Sequence, residues 1–490
     1  MNDDPSDPQV ADTSTRRLTG VLALIAATVC SLLVAGNWPQ TMEPTTIPLT
    51  SVPIDYWDWG ANRLLSTHEL TQLDRLGSRD IFSLCGFIRG TTPAPTWEPE
   101  GRPSSPIPGK RQHLVVRIDA ALAKQMTPDL GPLLIPIILS GWERNCTMAT
   151  IGLQIDCDVP TKKLPAYIDF LRQLRLTLPS DIHLSITMLV DWIHSRELSE
   201  LMHVVDLVAP QFYNTYVPFD PVGTTPLLGA PDLEWAIPKL EAVGRPYRIG
   251  LPTYEQCSLY AKDGTLLKPA IAMSPEQALS AGGMVTAVFH RQENIIQVRF
   301  PQAVKVAGYS IEAGQHVAFA GATPQGLAAE FNTINRLQPR FCQGVLLFRL
   351  PGRESTKSLS INQVVAAATN VISQARVVPR IQPLGNNHYA LMVSNQGDSD
   401  FIDFTNPVRV VVQAPHATIT PTLLPTYGFA IAKPIALNAN SQMNDGLELY
   451  LGLLRAGEMI KIEDMHIIRP DGSPAQVSGM ISRGAWSEKF

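Results

Sequence analysis

Cysteine is scarce in this 490-residue chain: there are six, none spaced as C-x-x-C, which excludes the common zinc and redox frameworks. Cys30 sits in an apolar run, leaving Cys85, Cys146, Cys157, Cys257 and Cys342, an odd number. A single disulfide joining Cys146 to Cys157 or Cys257 would suit an exported protein, and buried free thiols are the alternative. The ten histidines never fall in H-x-H or H-E-x-x-H spacing, so no metal site is expected. No G-x-G-x-x-G or G-K-[ST] follows an early strand, and no nucleotide cofactor is expected. The G-x-S-x-G elbow of serine hydrolases is missing too. Charge is also sparse, at 17% of residues with a net value of −5 and no long basic run, which argues against a nucleic-acid partner. No internal repeat is evident.

What the chain does have is apolar content of 45%, the level of a globular protein, with 41 prolines and 33 glycines for many turns. Its length favours two or more domains. Residues 1–17 read as a cytoplasmic tail ending in Arg16-Arg17, followed by the uncharged segment 18–36, about long enough to span a bilayer. The flanking arginines favour an inside N-terminus and an exported body. A membrane anchor is expected there, with the body in the periplasm or outside the cell; secretion after signal cleavage is the alternative. Residues 37–52 form a Pro/Thr-rich linker.

Beyond it, short apolar runs alternate with amphipathic stretches. Candidate strands are 53–57, 81–88, 114–118, 150–156, 183–188, 207–213, 247–252 and 344–349, with helical periodicity between most of them. In "TKKLPAYIDFLRQLRLTL", Leu164, Ile168, Leu171 and Leu174 recur at helical spacing. Eight such units predict a TIM-like (β/α)8 barrel over 53–374, with an open doubly wound sheet as the other arrangement. The second and third strands are joined by the Pro-rich "TTPAPTWEPEGRPSSPIPG", where a helix would be wanted. About 90 residues separate strands seven and eight, too many for one βα unit. Their strand formers predict a β insertion at about 257–322 that walls or caps the barrel's C-terminal face. From 375 to 490 the pattern is β only and predicts a sandwich-like C-terminal domain.

Chemistry in such a barrel sits at the C-terminal ends of its strands. In "TIGLQIDCDVPTKKL", Gln154, Asp156 and Asp158 share one parity, while Leu153, Ile155 and Cys157 share the apolar other. The two carboxylates lie roughly 6–7 Å apart, two strand rises. Like charges that close raise one pKa, which would keep a general acid protonated near neutrality. Strand five ends in Asp191 and Trp192, strand six in Gln211 and Tyr213, strand seven in Tyr254 and Glu255, strand eight in Arg349. Strand one contributes Trp57. Aromatic faces stack on sugar rings, while carboxylates, amides and arginine bond to hydroxyls. Asp158 is therefore the candidate general acid, Asp156 its pKa partner, and Glu255, across the mouth, the base or nucleophile. Gln154, Asp191, Trp192, Gln211, Tyr213, Tyr254, Arg349 and Trp57 are the candidate substrate contacts. Plainer readings stand beside these. Asp158 could merely organise the turn into the next helix, Asp156 could be salt-bridged to Arg117 or Arg349, and the aromatics could be packing.

The run "GLQIDCDVPTKKLPAYIDFLRQLRLTLP…LSITMLVDW…VDLVAPQFYNTY" resembles a bacterial family of exported, glycoside-hydrolase-like barrels. That family pairs a hydrophobic-D-x-D-x-P-T strand-four motif with an L-S-I-T-x-L strand-five motif. The likeness spans roughly 53 to 351 and implies the barrel and an exported location, without a substrate. More distantly the chain resembles chitinase-like barrels, whose strand-four motif is D-x-x-D-x-D-x-E. Asp156 and Asp158 match the D-x-D, but Pro160 stands where that family has its acid glutamate. The expectation is a glycoside hydrolase acting on an extracytoplasmic polysaccharide, or a non-catalytic carbohydrate-binding or envelope assembly protein on a degenerate barrel. The expected partners are a poly- or oligosaccharide and, through the N-terminal segment, a membrane.

Overall fold

The computed structural model describes residues 52–59, 64–100, 106–213, 230–290, 293–352, 358–422, 426–427, 430–437 and 443–490. The anchor and tail expected over 1–36, and the 37–52 linker apart from Val52, lie outside these residues. No helix among the described residues is long and apolar enough to cross a membrane.

Eight parallel strands form a closed barrel. They are β1 (Ile54–Asp58), β2 (Asp80–Arg89), β3 (Arg111–Ile118), β4 (Thr150–Asp156), β5 (His183–Leu189), β6 (Leu207–Gln211), β7 (Tyr247–Pro252) and β8 (Cys342–Phe348). Each pairs with its neighbours in chain order, and β1 closes the ring by pairing with both β8 and β2. In the closed ring each strand turns one parity to the helices and the other to the barrel interior. Leu153 and Ile155, with Cys157 just beyond the strand, pack outward into the helix layer alongside Ile186, Met188 and Ile249. Trp57, Phe82, Leu84, Val115, Ala209 and Leu346 fill the inside.

Helices follow most strands, as in Leu164–Thr177 after β4 and Pro324–Leu337 before β8. The exception lies between β2 and β3. There the proline-rich connection contributes a short strand, Thr96–Pro99, antiparallel to β2. Its Trp97 lies against Gly86 and Gly141, where a Cβ would come within 2.3 and 2.4 Å of the indole.

After β7 the chain builds a five-stranded antiparallel sheet from Glu255–Tyr260 through His316–Ala322. The C-terminal part adds a four-stranded and a six-stranded sheet. These are not separate packing units. Ile296, Val298, Phe300 and Phe319 of the insertion share one hydrophobic core with Leu391, Val410, Leu449 and Ile467 of the C-terminal sheets. The five described cysteines are free, so neither disulfide forms. Among the described residues no cluster of histidine, cysteine or carboxylate is arranged to hold a metal.

Candidate functional site

The end of β4 carries the densest arrangement of charge at the barrel mouth. Asp156 is buried, with 1% of its surface exposed, and accepts a 2.6 Å hydrogen bond from the Thr187 hydroxyl of β5. Arg117, at the end of β3, forks between the two acids. One guanidinium nitrogen lies 2.7 Å from Asp156 and another 2.6 Å from Asp158. Of the two readings for Asp156, salt-bridged to Arg117 or to Arg349, the geometry gives Arg117. Asp158 lies just past the strand, with 31% of its side chain exposed. Burial raises its pKa, Arg117 pulls it down, and Asp156 pushes it up again; the net direction is upward. The site is thus two carboxyls and one cation, with the pKa of the outer carboxyl held above its ordinary value.

Directly inside, Gln154 is wholly buried and accepts a 2.6 Å bond from the Trp57 indole. Trp57, expected to meet substrate, is 1% exposed and acts as a plug across the barrel interior. Its ring meets Phe82, Tyr213 and Phe348 edge-on. Tyr213 stacks on Phe348 at 5.7 Å and meets Tyr254 edge-on. The charges of Asp156, Asp158 and Arg117 all act on the Tyr213 hydroxyl, whose pKa burial drives well above the ordinary value. Tyr213 and Tyr254 therefore form the aromatic side of the same mouth. Phe348 sits between them and went unnoticed in the sequence, although it shares inward parity with Leu346.

Three expected contacts lie elsewhere. Trp192 is not at the rim. It is fully buried in the barrel–helix layer, its indole donating to the Val159 carbonyl and its ring beside Tyr167. The tight turn Val190–His194 begins as β5 ends, so strand parity no longer predicts side-chain direction there. Asp191 is exposed in that turn. Glu255 opens the insertion sheet and is held from both carboxylate oxygens by Arg455, at 3.0 and 2.9 Å. Burial nevertheless raises its pKa. The charges acting on Glu255 are those of Arg455, Glu276 and Asp400. Gln211 is half-buried at the end of β6. Arg349 follows β8 with its backbone tied to the Thr253 hydroxyl through both amide and carbonyl.

A parallel barrel with paired carboxyls at the end of its fourth strand defines the class of protein. Within that class, the chain belongs to the family described as "Domain of unknown function (DUF3142)", whose model matches residues 108–353. This agrees with the resemblance carried by the strand-four and strand-five motifs. No curated protein matches the chain. Among solved structures it is similar to the spore cortex-lytic enzyme of Bacillus cereus, at 14% identity and a TM-score of 0.42, over 66% of this chain and 75% of that one. A chitinase from Chromobacterium violaceum gives 14% identity and 0.41, covering 66% and 100%. A class V chitinase from Pseudomonas fluorescens gives 14% and 0.43, covering 66% and 99%. At such identities the likeness is one of fold.

Proposed function

We propose that this protein is a glycoside-hydrolase-like barrel that engages an extracytoplasmic polysaccharide at its mouth, with Asp158 as the proton-handling carboxyl. The observation that carries the reading is the pairing at the end of β4: a part-exposed carboxyl of raised pKa beside a buried one. A proton held on Asp158 can pass to a glycosidic oxygen as its bond to the sugar carbon breaks. Water then adds to that carbon, and its proton restores the acid. Arg117 and Thr187 fix Asp156 so that its charge keeps acting on Asp158. Tyr213 and Tyr254, both buried, back the site from within the aromatic cluster. The uncharged segment 18–36 behind Arg16-Arg17 supports an exported, membrane-tethered setting.

A second reading, glycan binding without turnover, draws on Glu255: its engagement by Arg455 removes the carboxylate expected to complete the pair. Reducing-sugar release from a panel of polysaccharides tests both. Asp158→Asn should cut release by about 100-fold or more, the contribution of a general acid. Equal release by both proteins removes Asp158 from the reaction. Binding by the wild-type protein with no release from any polysaccharide selects the second reading.

A further inference from the structure

Arg455, just past the short strand Leu453–Leu454, gathers acids from the insertion and from the C-terminal part. Glu255, the first residue of the insertion sheet, holds the guanidinium through both carboxylate oxygens. Glu276 of the insertion helix Pro275–Ser280 lies 3.6 Å from Arg455 Nε, and Asp400 lies 3.7 Å from another of its nitrogens. Both of these ion pairs stand beyond hydrogen-bond distance. Asp400 also accepts from the Ala456 amide at 2.9 Å, and Glu458 accepts from the Arg455 amide at 3.0 Å. The side chains of Arg455, Glu255, Asp400 and Glu276 are only 9%, 11%, 19% and 20% exposed.

One guanidinium thus serves three carboxylates, and their charges act on one another. Burial raises the Glu255 pKa, Arg455 pulls it down, and Glu276 and Asp400 push it up; the net direction is upward. Burial pulls the Arg455 pKa down, but the three acids push it further up, so it stays a cation. Burial lifts the Cys257 thiol, two residues along the strand from Glu255, well above its usual value, so it stays neutral. A proton on Glu255 removes one negative charge from the cluster, while Glu276 and Asp400 keep the buried guanidinium compensated. The junction is also under-filled. Cavities of about 220 and 250 Å³ lie where the barrel, the insertion and the C-terminal sheets meet. Tyr254, Glu255, Asp400, Arg455 and Glu458 help wall the first. Voids forfeit dispersion contacts, so charge carries a larger share of the attachment there.

We propose that Arg455 and its three acids form a proton-sensitive latch that fastens the C-terminal sheets to the insertion beside the barrel mouth, tighter when Glu255 is protonated. Glu255 directly follows Tyr254 of the aromatic cluster at the mouth, so opening of the latch loosens one wall of that mouth. The latch requires no sugar cleavage: a failed reducing-sugar test leaves it standing, and its own failure leaves Asp158 untouched. An unfolded glutamate has a pKa of about 4.3, and folding raises that of Glu255. The contribution of Glu255 to the latch is therefore fully present below about pH 4.3 and is lost as pH rises through the folded pKa.

Hydrogen exchange of the whole chain, corrected for the intrinsic rate at each pH, tests the latch on peptides covering 255–260 and 453–458. Asp400→Asn keeps an oxygen for the Ala456 amide and removes one of the charges that act on Glu255. Protection of these peptides in Asp400→Asn, taken relative to wild type, should rise by about threefold or more between about pH 4 and about pH 7. The comparison with wild type cancels the pH dependence that Asp158 contributes to both proteins. Glu276→Gln, which removes the other charge from a different element, should give the same trend. A ratio that stays constant or falls with pH in either folded variant would overturn the proposal.

Discussion

Asp156 and Asp158 are two positions apart in sequence and far apart in surroundings. The inner carboxyl is enclosed by Thr187 and Arg117, while the outer one shares Arg117 and meets solvent. This asymmetry lets the pKa of one of two adjacent acids rise. It also has a consequence for stability. The folded Asp158 carboxyl holds its proton above the value of an unfolded aspartate, about 3.9. Between those two values the folded state binds more protons than the unfolded one. The contribution of Asp158 is then fully present below about pH 3.9 and is lost as pH rises through the folded pKa. An asparagine at this position cannot titrate. Asp158→Asn should therefore gain stability relative to wild type as pH rises from about 4 towards neutrality. Urea-unfolding midpoints of the two proteins across that range measure it. A difference that stays constant with pH would mean that folding does not raise the pKa of the outer carboxyl.

At the level of the element, the strands were legible because each alternates cleanly. The eight sequence candidates all fall on barrel strands, and Gln154 and Asp156 face inward as their parity requires. Legibility failed where alternation stops or where a partner lies far along the chain. Trp192 follows the end of β5 and turns into the helix layer, and Glu255 finds Arg455 200 residues later. No local pattern carries either fact. Nor does local pattern reveal that Trp57 fills the barrel, since that depends on a glycine in β7. A Cβ at Gly250 would lie 2.8 Å from the Pro210 carbonyl and 3.1 Å from the Trp57 ring. Gly250→Ala should force the indole off Gln154 and cost about 1–3 kcal/mol, as overpacking of a filled core does. Chemical denaturation together with near-ultraviolet circular dichroism reads both effects. A variant with wild-type midpoint and spectrum would show that the plug has room to shift.

For the whole molecule, the organising fact is that the insertion and the C-terminal sheets share a core, so the molecule has a barrel and one composite β module built from two distant stretches of chain. Phe319 and Val298 of the insertion lie in the same apolar cluster as Leu391, Val410 and Leu449. The Glu255–Arg455 pair is a second tie between the two stretches, buried on both sides. Removing residues 375–490 would therefore do more than delete an appendage. It would strip the insertion of half its core and leave Glu255 buried without its guanidinium, and breaking a pair of that kind typically costs about 3–5 kcal/mol. The truncated chain should bind a hydrophobic dye that the full chain does not, and should unfold at lower urea concentration with a broadened transition. Dye fluorescence and urea unfolding of both proteins measure this. A truncated chain that stays dye-silent with an unchanged midpoint would mean that the insertion folds on the barrel without its C-terminal half.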